Sequence, residues 1–344
     1  MKHLLDMSEQ DLAAELTRIG QSGYRAGQVL QWVWAKGATD FAAMTNLPAA
    51  LREELAPQIA VLSGRLVDQR AARDGVIKLL IEWPDGQRVE TVLIPADKRI
   101  TACLSTQAGC AIGCAFCASG IGGLGRNLTA GEMVEQVFQL QAAGGKKVTH
   151  VVFMGTGEPL ANYDATLAAV RALIDPARGG LSGRHMTIST IGLPAAMRRL
   201  ATEGIPLTLA ISLHAPDDVL RRRLIPAAKS VPIADILAAA RDYFDRTGRE
   251  LTVEYLLLRG VNDTPEHANR LAALVRPLRC NVNLIRYNPV AGLPFERSEE
   301  SRTRDFRDRL QAAGVNVQIR ASRGGEIQAA CGQLRRDVKS ETEI

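Results

Sequence analysis

Apolar and polar positions follow three successive rhythms along the 344-residue chain. Over residues 8–58 the apolar positions recur at helical spacing. "SEQDLAAEL" opens with an N-cap serine, "AGQVLQWVW" stacks its apolar residues on one face, and "LPAALREEL" has a proline at its start. "RIGQSGYRAGQ" and "WAKGATDF" are the turns between these helices. Over residues 61–100 the rhythm shortens to alternation, in "GVIKLLIEW" and "RVETVLIP", separated by "PDGQ". Two alternating runs around Pro-Asp-Gly predict a β-hairpin.

From residue 101 short apolar runs alternate with amphipathic stretches. The strand candidates are "TACLST", "HVVFMG", "HMTIST", "PLTLAISL", "LTVEYLLL" and "NLIRYNP". Between them lie "TAGEMVEQVFQLQAA", "YDATLAAVRALI", "PAAMRRLATE", "IADILAAARDYFD" and "PEHANRLAALV", all at helical period. Six such units predict parallel strands with helices outside, as a partial barrel or a doubly wound sheet. "VNVQIRAS" adds one more strand. The organisation is thus an α/β protein with a helical module at 1–60, a β-hairpin linker at 61–100, a core at 101–322 and a C-terminal segment at 323–344. Polar punctuation falls at one end of every strand but the fifth: the cysteine loop, "GTGEP", Ser189 with Thr190, "SLHAP" and "YNP". In parallel barrels working residues gather at that end, so one shared site is expected.

Composition narrows the class. No apolar run approaches the roughly 20 residues of a membrane span, and the first residues lack a signal peptide's apolar centre. A cytoplasmic, monomeric protein with reduced thiols is expected, whose six cysteines read as ligands or reactive groups before disulfides. At 4% aromatic residues, broad stacking platforms for single-stranded nucleic acid are not expected. Residues 1–60 hold five Lys/Arg against seven Asp/Glu, whereas residues 301–340 hold nine against four. The basic end suits a phosphate-rich partner and equally suits a solvated arginine-rich helix face.

Half of the cysteines lie in "GCAIGCAFCASG", as Cys110, Cys114 and Cys117. Thiolates converging from one short loop suit a soft metal or an iron–sulfur cluster. Structural zinc takes four ligands, and Cys103, Cys280 or Cys331 could supply a fourth. A three-cysteine set instead leaves one iron of a four-iron cluster open. In "GTGEP" the glycines permit close backbone approach, and Glu158 can accept from a ligand ammonium. The same residues could simply form a tight β-to-α turn.

The C-x3-C-x2-C spacing with Phe116 before the last cysteine resembles the radical S-adenosylmethionine (SAM) superfamily. Taken with "QRVETVLIP", "GRNLTAGEMVEQV", "MGTGEPLANYD", "AISLHAPDD", "LIRYNPVAGLPFERS" and "AACGQL", it closely resembles the RlmN family of RNA methyltransferases over nearly the whole chain. The most specific element is a cysteine pair outside the cluster motif, matched by Cys103 and Cys331. Thr156 stands where the family commonly has Met, and "GGLGRNL" varies its loop after the cluster. The sister Cfr family, which methylates C8 of the same adenine, shares most of these motifs. A non-catalytic, metal-stabilised RNA-binding protein would explain the cysteine triad and basic end, but not Glu90, "GTGEP" and "AACGQL" together.

The resemblance implies a radical SAM partial (β/α)6 barrel, a 4Fe-4S cluster on Cys110, Cys114 and Cys117, and S-adenosyl-L-methionine on its open iron. It implies contacts to that cofactor from Gly157, Glu158, Ser189, Ser212, Leu213, His214 and Asn288. It further implies methylation of adenine C2 in 23S rRNA, at the peptidyl transferase centre, and in tRNA beside the anticodon. Two SAM molecules are used: one methylates Cys331, and the other yields a radical that activates that methyl group. Glu90 takes the C2 proton, and Cys103 resolves the protein–RNA adduct through a transient disulfide. An electron donor such as flavodoxin or ferredoxin is implied, and the N-terminal helices are implied to help hold RNA.

Overall fold

In the computed structural model, which describes residues 1–334, side chains of Ser8, Thr129, Asp217 and Thr264 cap the starts of four helices. The N-terminal module contains α1 Glu9–Arg18, α2 Arg25–Lys36 and α3 Ala49–Leu55. Ser8 and Asp11 form a reciprocal capping box on α1, which satisfies amide groups that the first turn leaves open. Leu12, Leu16, Val29, Val33 and Leu51 are buried, and their cluster runs without a break into Met133 and Val134 of the barrel. A parallel pairing of Lys2–His3 with Ile59–Ala60 closes the module on itself.

Ten strands form one sheet: β1 Arg65–Ala71, β2 Ile77–Glu82, β3 Arg88–Ala96, β4 Arg99–Cys103, β5 His150–Phe153, β6 Met186–Thr190, β7 Thr208–Ser212, β8 Leu251–Leu257, β9 Cys280–Arg286 and β10 Val317–Arg320. Each strand neighbours its predecessor in the chain. β1 to β4 pair antiparallel, and β4 to β10 pair parallel. This order decides between the two expected architectures. A doubly wound sheet reverses its strand order at a switch point, and here no reversal occurs. Seven parallel strands joined by six crossovers make a partial barrel.

The crossovers hold α4 Ala130–Gly144, α5 Tyr163–Ile174, α6 Pro194–Leu200, α7 Asp218–Leu224 with α8 Ile233–Thr247, α9 Pro265–Val275 and α10 Glu300–Ala312. α7 and α10 are additions to the expected set. Their sequences, "DVLRRRL" and "ESRTRDFRDRLQA", hide a few buried residues among charges. The expected hairpin forms as β2 and β3, with Trp83 donating its amide to the Gln87 carbonyl at 2.8 Å. It is hydrogen-bonded into the barrel sheet, Val92 opposite Cys103, and flanked by the unexpected β1. β1 has no buried face, so alternation could not reveal it.

Candidate active site

After β4 the chain forms a small ribbon, Gln107–Gly109 against Leu124–Asn127, that pinches off the cysteine loop. Gly109 sits at φ +83°, and a Cβ there would lie 2.0 Å from the Gly123 carbonyl oxygen. No other residue fits that closure. The loop is pinned from two sides: Ala115 donates its amide to Leu224 at 2.9 Å and Ala118 to Gly332 at 2.8 Å. Ser119 Oγ donates to the Leu334 carbonyl at 2.9 Å. The segment carrying Cys331 is therefore part of the wall around the cysteine loop.

Cys110, Cys114, Cys117 and Cys331 line one cavity at the C-terminal ends of the strands. Burial pushes the Cys110 thiol up to about 11 and Cys114 well above the ordinary thiol range, and raises Cys117. Without a metal these are neutral thiols, and a metal must displace their protons to bind. Among the described residues no three His, Cys, Asp or Glu side chains are grouped to hold a single ion. A polynuclear cluster takes one thiolate per iron and needs no such convergence. Three soft donors in a dry wall fit that cluster, with the cavity beside them open to a further ligand.

The "GTGEP" turn follows β5. Cβ atoms at Gly155 and Gly157 would lie 2.7 Å from the Leu104 backbone and from Thr106 and Gln107 side-chain atoms. The glycines thus have a packing role in the turn itself. Glu158 is buried; Oε1 accepts the Leu160 amide at 3.0 Å and Oε2 the Ile191 amide at 2.8 Å. Burial pushes its carboxyl up to about 7 against the pull of these donors. Ser189 and Ser212 line the same cavity, their hydroxyls 3.3 Å apart.

His214 also lines it, in a left-handed conformation at φ 58°. Its Nδ1 accepts the Leu256 amide at 3.1 Å, and burial with nearby Arg221 pushes the imidazole down to about 3. The ring is neutral, and its proton sits on Nε2. Leu213 turns into the hydrophobic core, with only its backbone near the site, donating to Glu254 at 3.1 Å. Asn288 lines the neighbouring cleft, where Nδ2 donates to the Cys331 carbonyl at 3.4 Å and Oδ1 accepts from Arg297 at 2.7 Å. The structure therefore groups Gly157, Glu158, Ser189, Ser212 and His214, and sets Leu213 and Asn288 to the side.

Cys103 is buried at the end of β4; burial first, then Cys331, pushes its thiol up to about 12, against the pull of Arg320. Glu90 lies on β3 two residues before Val92, the register partner of Cys103, so both side chains share one sheet face. Its carboxylate pairs with buried Lys78 at 2.6 Å, and the same ammonium donates to the Gln328 carbonyl at 3.3 Å. That bridge fixes the Cys331 segment against β2 and β3. Cys280 packs at the edge of the main core, away from both groups.

Around the site, the sequence did not reveal buried Lys78, Arg221 and Glu254 or the half-buried Arg320. Arg221 of α7 donates to the Leu213 carbonyl at 3.3 Å and to Ile191, close to Cys114. Glu254 fills the fifth strand candidate, which had shown no polar punctuation, and accepts from Asn283 at 2.8 Å. Its alternation in "LTVEYLLL" was the available signal, because a lone Glu in a buried strand must face something polar.

A family model described as the Radical SAM superfamily matches residues 104–272, and one described as the ribosomal RNA large subunit methyltransferase N-terminal domain matches residues 2–61. The chain is 48% identical to a probable dual-specificity RNA methyltransferase RlmN of Symbiobacterium thermophilum, over 96% of this chain and 90% of that one. It is 45% identical to the protein of the same name in Thermosynechococcus vestitus, over 96% and 98%. The crystal structure of a radical SAM methyltransferase from Sphaerobacter thermophilus superposes with a TM-score of 0.95 at 43% identity, covering 98% of this chain and 100% of that one.

Proposed function

Because the chain belongs to the RlmN family of radical SAM RNA methyltransferases, we propose how its own residues divide that reaction. The enzyme methylates C2 of adenine in ribosomal RNA and transfer RNA. The 4Fe-4S cluster and SAM supply, when bound, the methyl group and the one-electron chemistry that an electrophilic ring carbon requires. Cys110, Cys114 and Cys117 hold the cluster. Gly157, Glu158, Ser189, Ser212 and His214 bind SAM, with the Glu158 carboxylate taking the ammonium. Leu213 contributes backbone position, and Asn288 acts by fixing the Cys331 carbonyl.

Cys331 carries the methyl group as a thioether and becomes joined through it to C2. Glu90 takes the proton lost from C2. Cys103 then attacks the Cys331 sulfur and a transient disulfide forms. The bond from that sulfur to the methylene carbon breaks, and this carbon keeps the electron pair and takes up the proton released by the Cys103 thiol, becoming the methyl group of the departing base. One observation supports this division best: Cys331 sits in the same wall as the cysteine loop, and Glu90 shares a sheet face with Cys103. Residues 1–60 are assigned to RNA contact, 61–100 to presenting Glu90, 101–322 to the radical SAM core and 323–344 to carrying Cys331. Residues 335–344 lie outside the described residues. A flavodoxin- or ferredoxin-type donor is proposed to reduce the cluster, in a monomeric cytoplasmic enzyme.

Cys103→Ala tests the scheme. It should add to RNA and stall, giving a nuclease-sensitive mass shift on a denaturing gel, whereas Cys331→Ala should give no adduct. Normal turnover by Cys103→Ala would remove its resolving role.

A further inference from the structure

The lower half of the barrel is built to stay open. Interior layers of closed parallel barrels are filled by Val, Ile and Leu. Here the lumen at the strand starts is lined by Thr101, Thr187, Thr208, Thr252, Asn283 and Gln318, with Thr187 directly opposite Thr208. A cleft of about 580 Å³ results, running from the strand starts up to Cys331. Threonine and amide side chains cannot fill it, and they favour a polar occupant.

The cleft's charge is one-sided. Arg99, Arg184, Arg286, Arg320 and Arg323 line it, and Glu254 is the only carboxylate doing so among the described residues. Arg320 faces Glu254 at 3.8 Å, and Arg323 donates to the Pro95 carbonyl. Arg99, Arg184 and Arg286 make no ion pair with any described residue, and Arg286 Nε is buried without a hydrogen-bond partner among them. At the rim His150 and His185 stack with ring centroids 4.3 Å apart. Unpaired guanidinium groups around a polar channel fit phosphodiesters, and stacked rings fit a base.

We infer that this cleft grips the single-stranded RNA flanking the target adenosine, Arg99, Arg184 and Arg286 holding phosphates and the His150–His185 stack meeting a base. This rests on the RNA methyltransferase reading and adds where the strand runs: into the barrel's side and floor, with the target base presented to Cys331 from below. A target inside a stem would have to be flipped out to reach that position.

The test is equilibrium binding of cluster-loaded enzyme to an RNA hairpin with an adenosine in its loop, across a salt series. Removing one arginine–phosphate pairing should reduce the slope of log affinity against log salt by about one. Arg99→Gln with Arg184→Gln should therefore flatten it by about two, whereas Arg241→Gln, on the exposed face of α8, should leave it unchanged. His185→Ala should weaken binding about fivefold or more without altering the slope. Arg184→Lys keeps the charge and should keep the slope, which separates charge from any loss of fold. A double variant that flattens no more than Arg241→Gln overturns this inference alone. A wild-type enzyme that binds no RNA overturns the RNA reading and the cleft with it.

Discussion

Both oxygens of Glu158 already accept backbone amides, yet each carboxylate oxygen has a second lone pair. The residue can hold the Ile191 turn and still receive an ammonium group. With its carboxyl pushed up to about 7 by burial, half of it is neutral at that pH in the ligand-free protein. Because the folded state binds this proton more tightly than the unfolded chain, the ligand-free enzyme loses stability as pH rises from about 4.5 to 7. SAM affinity should move the other way and climb as pH rises through 7. A charge-assisted hydrogen bond contributes roughly 1.5–3 kcal/mol, or about ten- to a hundred-fold in affinity. Glu158→Gln should lose that amount at pH 8 and show no rise through 7, measured by calorimetry across a pH series. An unchanged profile would leave Glu158 a turn-former only. The cysteines and "GTGEP" were legible because their spacing is rare. Lys78, Arg221 and Glu254 were not, because a lone charge in a sequence does not announce its burial.

At the scale of elements, the first turn of α4 decides how the N-terminal module docks. Gly131 donates its amide to Asp6 Oδ1 at 2.5 Å. A Cβ there would lie 2.7 Å from His3 Nδ1 and 2.8 Å from the Asp6 backbone nitrogen. Helix propensity alone would make Gly131→Ala stabilising by about 1 kcal/mol. The clash includes backbone, which cannot rotate away, and overpacking costs roughly 1–3 kcal/mol. The clash should win. Gly131→Ala should lower the melting temperature, and a rise would show that residues 2–6 shift freely. The same helix was plain in the sequence, since Thr129 and Glu132 form its capping box ahead of an apolar face. Elements with apolar periodicity were legible throughout. β1, α7 and α10 were obscured by charge. Periodicity left a partial barrel and a doubly wound sheet open, because it does not encode strand order, and the motif resemblance is what pointed to the barrel.

At the scale of the whole molecule, an ionic staple anchored on the buried carboxylate of Glu135 ties the N-terminal module to the barrel. His3 Nε2 lies 3.0 Å from Glu135 of α4 and Nδ1 3.6 Å from Asp6, while Glu135 also accepts the amides of Ser63 at 2.8 Å and Gly64 at 2.7 Å. Burial opposes the imidazolium, but the nearby carboxylates of Asp6 and Glu135 outweigh it and raise His3 to about 9. Its folded value lies above the unfolded value of about 6.5, so the staple's stabilisation is complete below 6.5. It fades as pH rises through 9. His3→Gln keeps a hydrogen-bonding side chain and removes the charge. The melting temperature of His3→Gln should therefore fall well below wild type at about pH 6 and approach it near pH 10. A constant gap across that range would mean that His3 acts through packing, and that some other contact fixes the module. Where the staple holds, the N-terminal helices stay joined to the barrel at physiological pH, because the charge joining them is neutralised only in alkaline solution.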